Sequence, residues 1–405
     1  MIALEKNIPQ ESAMLISLLP RPAIMDTIKK LYLYRLIASF TFIAPIFVLF
    51  LQDNGLSMTH IMTLQAIYTL TMLSFSIVSG SLADRISRKA ILVLGSIMQL
   101  LGYGLYSISS SFMQFVGVEI LLGISIAMWD SSYSAFIYDT LKEQKRTKDY
   151  KRVFGNVFAL LFLGMGISAP IGSFLASYDL RLPFYMSIIP SALAVFIAIG
   201  FREPKYKKKE MPYLGHLSST IKYCWNKKRI RYLILLGSIT YSVLFAAFFT
   251  YQPYFQAAGL PIAYFGFVYL LLEISTAAGA RYAGWLEGIL KEELYLLIIT
   301  AMPMFGLLIM AYNPIIGIGI TLLLGFASGM LEPALTDYLN SCTESYHRAT
   351  VISVYGTFFG LLSSLMLIAI GYSIDNAGLS VSLLGLAGIA SLNLLVLLAL
   401  RKERC

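Results

Sequence analysis

Five acidic residues interrupt long apolar runs of this 405-residue chain: Glu119, Asp130, Glu273, Glu332 and Asp337. An ionised side chain at bilayer depth costs several kcal/mol and is kept where it has a task, most simply to carry a proton or to meet a substrate. Glu119 and Asp130 are eleven residues apart, which at 100° per residue places them within about 20° of each other on one helix face. Gly123 and Ser134 lie near the same stripe, so this helix has a small and polar face. Asp130 and Glu332 are the first candidates for proton coupling or for lining a substrate cavity, followed by Glu119 and Glu273. A structural role stays open for each. Asp130 and Glu332 can be wet salt-bridge partners at helix ends, Glu273 can hydrogen-bond a neighbouring helix when protonated, and Asp337 suits an interfacial cap.

Other chemistry is absent from the pattern. The histidines His60, His216 and His347 are scattered, and no clustered nucleophile or metal-ligand spacing occurs. No phosphate-cradling G-x-x-x-x-G-K-[ST] stretch is present. An enzyme, a metal site and a bound cofactor are therefore not expected. Tyr241, Phe245, Phe248 and Gln252 fall on one helical face, an aromatic wall with a polar tip suited to a small amphipathic or lipophilic, even cationic, substrate. Lipid-facing aromatics are the alternative, since the chain has 25 Phe and 26 Tyr. Arg35, following Tyr32 and Tyr34, reads as an interface anchor. No other Lys or Arg lies within an apolar run, which disfavours organic anions as substrates.

The elements that must hold these residues are membrane helices. Apolar residues make up 58% of the chain and charged residues 13%, with a mean hydropathy of +0.73, which no soluble domain of this size could hide. The apolar runs read as twelve spans at 31–51, 59–81, 90–109, 112–136, 153–176, 183–201, 231–253, 262–284, 294–311, 314–336, 350–372 and 379–400. With both termini on one side, every Lys and Arg except Arg181 falls on that side, so the positive-inside rule makes it cytoplasmic. The net charge of +9 is thus a topology signal facing anionic lipid, and nucleic acid is not an expected partner. Cys224, Cys342 and Cys405 fall at cytoplasmic helix ends, so no disulfide is expected. Pro45, Pro253 and Pro333 are places where a span can break to expose backbone to a cavity. A prokaryotic plasma membrane and a monomer are expected.

The chain divides once. Residues 1–30 read as a cytoplasmic tail, 31–201 as a first six-helix bundle, 202–230 as a basic cytoplasmic linker, 231–400 as a second six-helix bundle, and 401–405 as a short tail. The halves echo one another: Gly123 precedes Asp130 in span four by the same spacing as Gly325 precedes Glu332 in span ten. Weak symmetry between two six-helix halves is a feature of transporters.

The loop between spans two and three carries the most specific signal. Gly80-Ser81-Leu82-Ala83-Asp84-Arg85-Ile86-Ser87-Arg88-Lys89-Ala90-Ile91-Leu92 resembles the signature G-x-L-A-D-R-x-G-R-[RK]-x-x-[IL] of the major facilitator superfamily, departing from it only at Ser87. The stretches Asp130 to Lys142 and Leu331 to Ser353 are similar to bacterial efflux-type members. The resemblance implies an all-α membrane protein of twelve helices in two pseudo-symmetric bundles. It further implies a secondary active transporter that exports small amphipathic compounds by alternating access, coupled to protons. Uptake of a small neutral nutrient by proton symport, or a non-transporting sensor, are the other readings. The family's fourth-span arginine is replaced by Glu119, and the fifth-span proline–glycine pattern survives only around Gly164, Gly166, Pro170 and Gly172. By resemblance, Gly80, Asp84, Arg85, Arg88 and Asp139 form a cytoplasmic latch: Asp84 faces the start of span eleven near Ala349 and Thr350, and Arg88 bridges it to Asp139.

Overall fold

A computed structural model describes residues 22–204, 223–344 and 347–400, without the side chains of residues 22–26, 77, 80, 81, 83–85, 349, 399 and 400. The tail expected at 1–30, the linker at 202–230 and the tail at 401–405 therefore lie wholly or largely outside the described residues. Every regular element among the described residues is helical. The N–H and C=O groups of a chain in hydrocarbon must be satisfied within the segment, and a helix does this for apolar runs of this length.

Span two is Met58–Arg85, span three Arg88–Ile108, span four Phe112–Glu143, span five Tyr150–Ala176 and span six Leu182–Ile199. Span seven is Lys228–Ala257, span ten Pro314–Ser341, span eleven Arg348–Ala377 and span twelve Leu379–Leu400. Spans eight and nine are one run, Ile262–Tyr312, broken at Lys291, whose φ of 61° leaves helical geometry. Span one is not continuous as the apolar run suggested: Pro22–Ala38 and Phe47–Asp53 flank a non-helical stretch that contains Pro45. Proline lacks the N–H a helix needs and disfavours helical geometry in the residue before it. Pro253 and Pro333, by contrast, sit inside continuous helices and break nothing.

The bundle is apolar outside as well as inside. Phe174, Phe196, Leu365 and Leu392 are exposed on its surface, as a lipid-facing wall requires. Span four packs on spans two and three, and span ten packs on the eight–nine pair. Here the repeat becomes physical. Leu122 of span four fills the notch left by Gly102 of span three, and Leu324 of span ten fills that of Gly306 in span nine. The next residues, Gly123 and Gly325, let span four approach Thr71 of span two and span ten approach Leu272 and Thr276 of span eight. The halves meet along two seams. Gly266 of span eight lies against Ala169 and Pro170 of span five, and Gly360 and Gly371 of span eleven against Leu73 and Met62 of span two.

Arg181 donates to the carbonyls of Ser107 (2.9 Å) and Ser109 (3.1 Å) and to Asn54 Oδ1 (2.8 Å). It is spent on the carbonyl end of span three, a favourable place for a cation. Cys224 is a buried free thiol. Cys342 is disulfide-bonded, contrary to the expectation that no disulfide forms.

Candidate functional site

Two cavities among the described residues lie along the interior, the first mostly in the first half and closed by span seven, the second in the second half. The first, about 210 Å³, is lined by Gln65, Tyr68, Tyr106, Glu119, Phe248 and Gln252 among others. The second, about 220 Å³, is lined by Tyr241, Phe245, Phe248, Tyr251, Glu273 and Thr276 among others. Three of the four wall residues read from the sequence thus converge on Glu273. The fourth, Gln252, belongs to the other cavity, and its polar atoms are spent. Its amide oxygen accepts from the backbone N–H groups of Val48 (2.7 Å) and Leu49 (3.4 Å), and its nitrogen donates to Ala44 O (2.8 Å) and Tyr269 Oη (3.1 Å). Gln252 therefore caps the second piece of span one, whose first N–H groups the break at Pro45 left unpaired.

The acids have unlike surroundings. Glu119 is 2% exposed, and its Oε1 accepts from Gln65 Nε2 at 2.9 Å and Tyr106 Oη at 2.5 Å. Glu273 is half-buried and has no hydrogen-bond or ion-pair partner among the described residues. Asp130 and Glu332 are exposed toward the interior: Asp130 interacts electrostatically with Arg35 and Tyr68, and Glu332 with Tyr241 and Tyr355. Asp337 is exposed one turn further along span ten.

Arg35 is not the interface anchor its position suggested. Its guanidinium lies 3.8 Å from the centre of the Trp129 ring, and its Nε is buried without a hydrogen bond. A cation over an aromatic face is held by the ring quadrupole. The cation that faces the span-four acid is thus contributed by span one.

At the loop between spans two and three, Arg88 and Asp139 form an ion pair, 13% and 10% exposed. Gly80, Asp84 and Arg85 lie on the last turns of span two, and their side chains are outside the described residues. Ser87, the departure from the family pattern, caps span three: its Oγ accepts from Ala90 N (3.1 Å) and donates to Glu203 Oε2 (2.6 Å). Glu203 also accepts from the N–H groups of Arg88 (2.9 Å) and Lys89 (2.8 Å), a carboxylate on a helix N-terminus. Sequence reasoning missed it, although an acid just past span six is the nearest candidate for those N–H groups. It also missed Asp375, at the opposite end of the bundle. Asp375 of span eleven accepts from Met58 N (3.0 Å), Thr59 N (2.8 Å) and Thr59 Oγ1 (2.5 Å), so one half caps the start of span two in the other.

Comparison with known proteins agrees with this geometry. The family model described as Major Facilitator Superfamily matches residues 36–367, and the chain belongs to that family. It is 25% identical over 303 residues to multidrug resistance protein 1 of Bacillus subtilis, covering 74% of this chain and 76% of the relative. It is 23% identical over 312 residues to quinolone resistance protein NorA of Staphylococcus aureus strain MRSA252, covering 74% and 77%. Among solved structures, the nucleoside transporter NupG superposes with a TM-score of 0.77 at 12% identity, over 94% of this chain and all of that one. The chain is a multi-pass membrane transporter.

Proposed function

We propose that this chain is a proton-coupled exporter of small amphipathic or lipophilic compounds, working by alternating access as a monomer in a prokaryotic plasma membrane with both termini cytoplasmic. The observation that carries the reading is the distribution of interior acids, two in each half, beside aromatic walls and with Arg35 as their one close cation among the described residues. The acids supply proton sites, the walls supply a surface for an apolar body, and the scarcity of cations turns organic anions away. The resistance-protein names of two relatives support export over uptake.

Alternating access is supported by an asymmetry between the two ends. Gln252 and Asp375 tie the halves together at the end away from the 86–89 loop, whereas Asp130, Glu332 and Asp337 are open toward the loop end. With the loop cytoplasmic, this is an inward-open arrangement. Outward opening would release the Gln252 and Asp375 ties and engage Asp84 with the start of span eleven as a cytoplasmic latch.

The test is proton flux in reconstituted vesicles with an imposed pH gradient and an internal pH dye, challenged with lipophilic cations, neutral drugs and sugars. Substrate-triggered flux in wild type, abolished in Asp130→Asn, is expected. Equal flux in the two proteins removes Asp130 from the coupling path, and flux triggered only by sugars overturns the exporter reading.

A further inference from the structure

Phe248 is the one residue common to the two cavity linings. At about 210 and 220 Å³, each cavity is smaller than the roughly 300–1,000 Å³ of drug-sized ligand sites, and together they reach that range. The Phe248 ring is half-buried against the apolar core and makes edge-to-face contacts, with ring centres 5.5 Å from Phe249, 5.9 Å from Tyr251 and 5.6 Å from Tyr269. No hydrogen bond fixes a phenyl ring, and its side chain has other staggered rotamers to adopt.

The compartments on its two sides differ in what they offer a visitor. In the first-half cavity, Glu119 is already engaged by Gln65 and Tyr106, and Gln252 by four backbone and side-chain partners. Gln252 thus has both polar atoms engaged, and Glu119 is anchored through its Oε1. In the second-half cavity, Glu273 has no partner among the described residues, and Tyr241, Phe245 and Tyr251 surround it with ring surface. A cationic head is served there twice, by a free carboxylate and by aromatic faces.

We propose that Phe248 is a specificity-determining partition. The cationic head of a substrate occupies the Glu273 compartment. An apolar body too large for that compartment swings the Phe248 ring aside and extends into the Glu119 compartment. Substrate size is therefore read at Phe248 and substrate charge at Glu273. This rests on the reading of the chain as a carrier of amphipathic compounds, and it deepens that reading by naming a monocation with an aromatic body.

Equilibrium binding to the purified full chain in detergent tests it without any gradient. The probes are a large lipophilic cation, tetraphenylphosphonium, and a small one, phenyltrimethylammonium. Phe248→Trp is expected to weaken the large probe about ten-fold, with the small one changed less than about two-fold. Phe248→Leu is expected to strengthen the large probe several-fold and leave the small one unchanged. Glu273→Gln weakens both about ten-fold. Equal effects of the Phe248 variants on the two probes, or no binding of either probe to wild type, overturn the proposal. Wild type that binds with this pattern but moves no protons in vesicles keeps the partition and sinks the proton-coupled exporter reading.

Discussion

Glu119 and Glu273, in opposite halves of the molecule, line cavities of nearly equal size, yet one carboxylate accepts two hydrogen bonds and the other accepts none among the described residues. The difference separates two uses of an intramembrane acid. Glu119 joins span four to Gln65 of span two and Tyr106 of span three, so it behaves as a hydrogen-bonded fastener of the first half. Glu273 has no hydrogen bond among the described residues and is available to a ligand or a proton. Sequence alone treats the two alike, as acids in apolar runs.

The largest effect should come from removing the fastener. Glu119→Ala leaves two buried donors unpaired, at about 1–3 kcal/mol each, and is expected to lower the melting temperature of the purified protein markedly. Glu119→Gln keeps an acceptor oxygen and should recover most of that loss, whereas Glu273→Ala should leave the melting temperature within error of wild type. A large loss of stability in Glu273→Ala would erase the distinction between the two acids.

Packing at the repeat offers a second contrast. A Cβ at Gly123 would lie 2.8 Å from Thr71 Cβ and 2.9 Å from the Tyr68 carbonyl, and one at Gly325 would meet Leu272 and Thr276. Gly123→Ala and Gly325→Ala should each cost about 1–3 kcal/mol, seen as parallel drops in thermal stability. A tolerant Gly325 beside an intolerant Gly123 would mean that the second half repeats the sequence spacing without the same helix approach.

A smaller effect is expected where the second half grips the first. Asp375→Asn keeps a polar side chain but loses the charge on the N-terminus of span two, worth about 0.3–1 kcal/mol. That shifts a two-state equilibrium about two- to five-fold toward opening at the 54–58 end. Thiol labelling of single cysteines placed beside Thr59 reads this directly, and unchanged labelling rates would show the tie to be incidental. Smallest of all is Ser87→Gly, which restores the family residue. Loss of the Oγ cap should cost only a few tenths of a kcal/mol, because glycine is itself tolerated at that position, while Ser87→Ala should cost about 0.5–2 kcal/mol.

Much of the architecture is legible in the residues. Apolar run length, the one-sided distribution of Lys and Arg, and the Gly80–Leu92 pattern define the fold class, because bilayer thickness leaves a chain of this composition few alternatives. The spacing of Gly123 to Asp130 and of Gly325 to Glu332 points to the repeat. Its physical content, with Leu122 and Leu324 seated on glycines of the preceding spans, requires three helices to be seen together. Span one reads as continuous because a proline in an apolar run does not by itself say whether the helix breaks. The break falls at Pro45, where Gln252 from the other half receives the freed N–H groups, and not at Pro253 or Pro333, which lie within unbroken helices.

By itself, then, the sequence determined that this is a helical membrane transporter and which apolar runs carry acidic residues. Those properties follow from local composition and period, which do not depend on which helix neighbours which. Tertiary structure alone decided the partners: Arg35 with the Trp129 ring, Tyr106 and Gln65 with Glu119, Asp375 with span two, and none among the described residues for Glu273. A hydrogen bond or ion pair between residues far apart in the chain exists only once packing has brought their polar atoms within about 3 Å, and no spacing in one dimension encodes that distance.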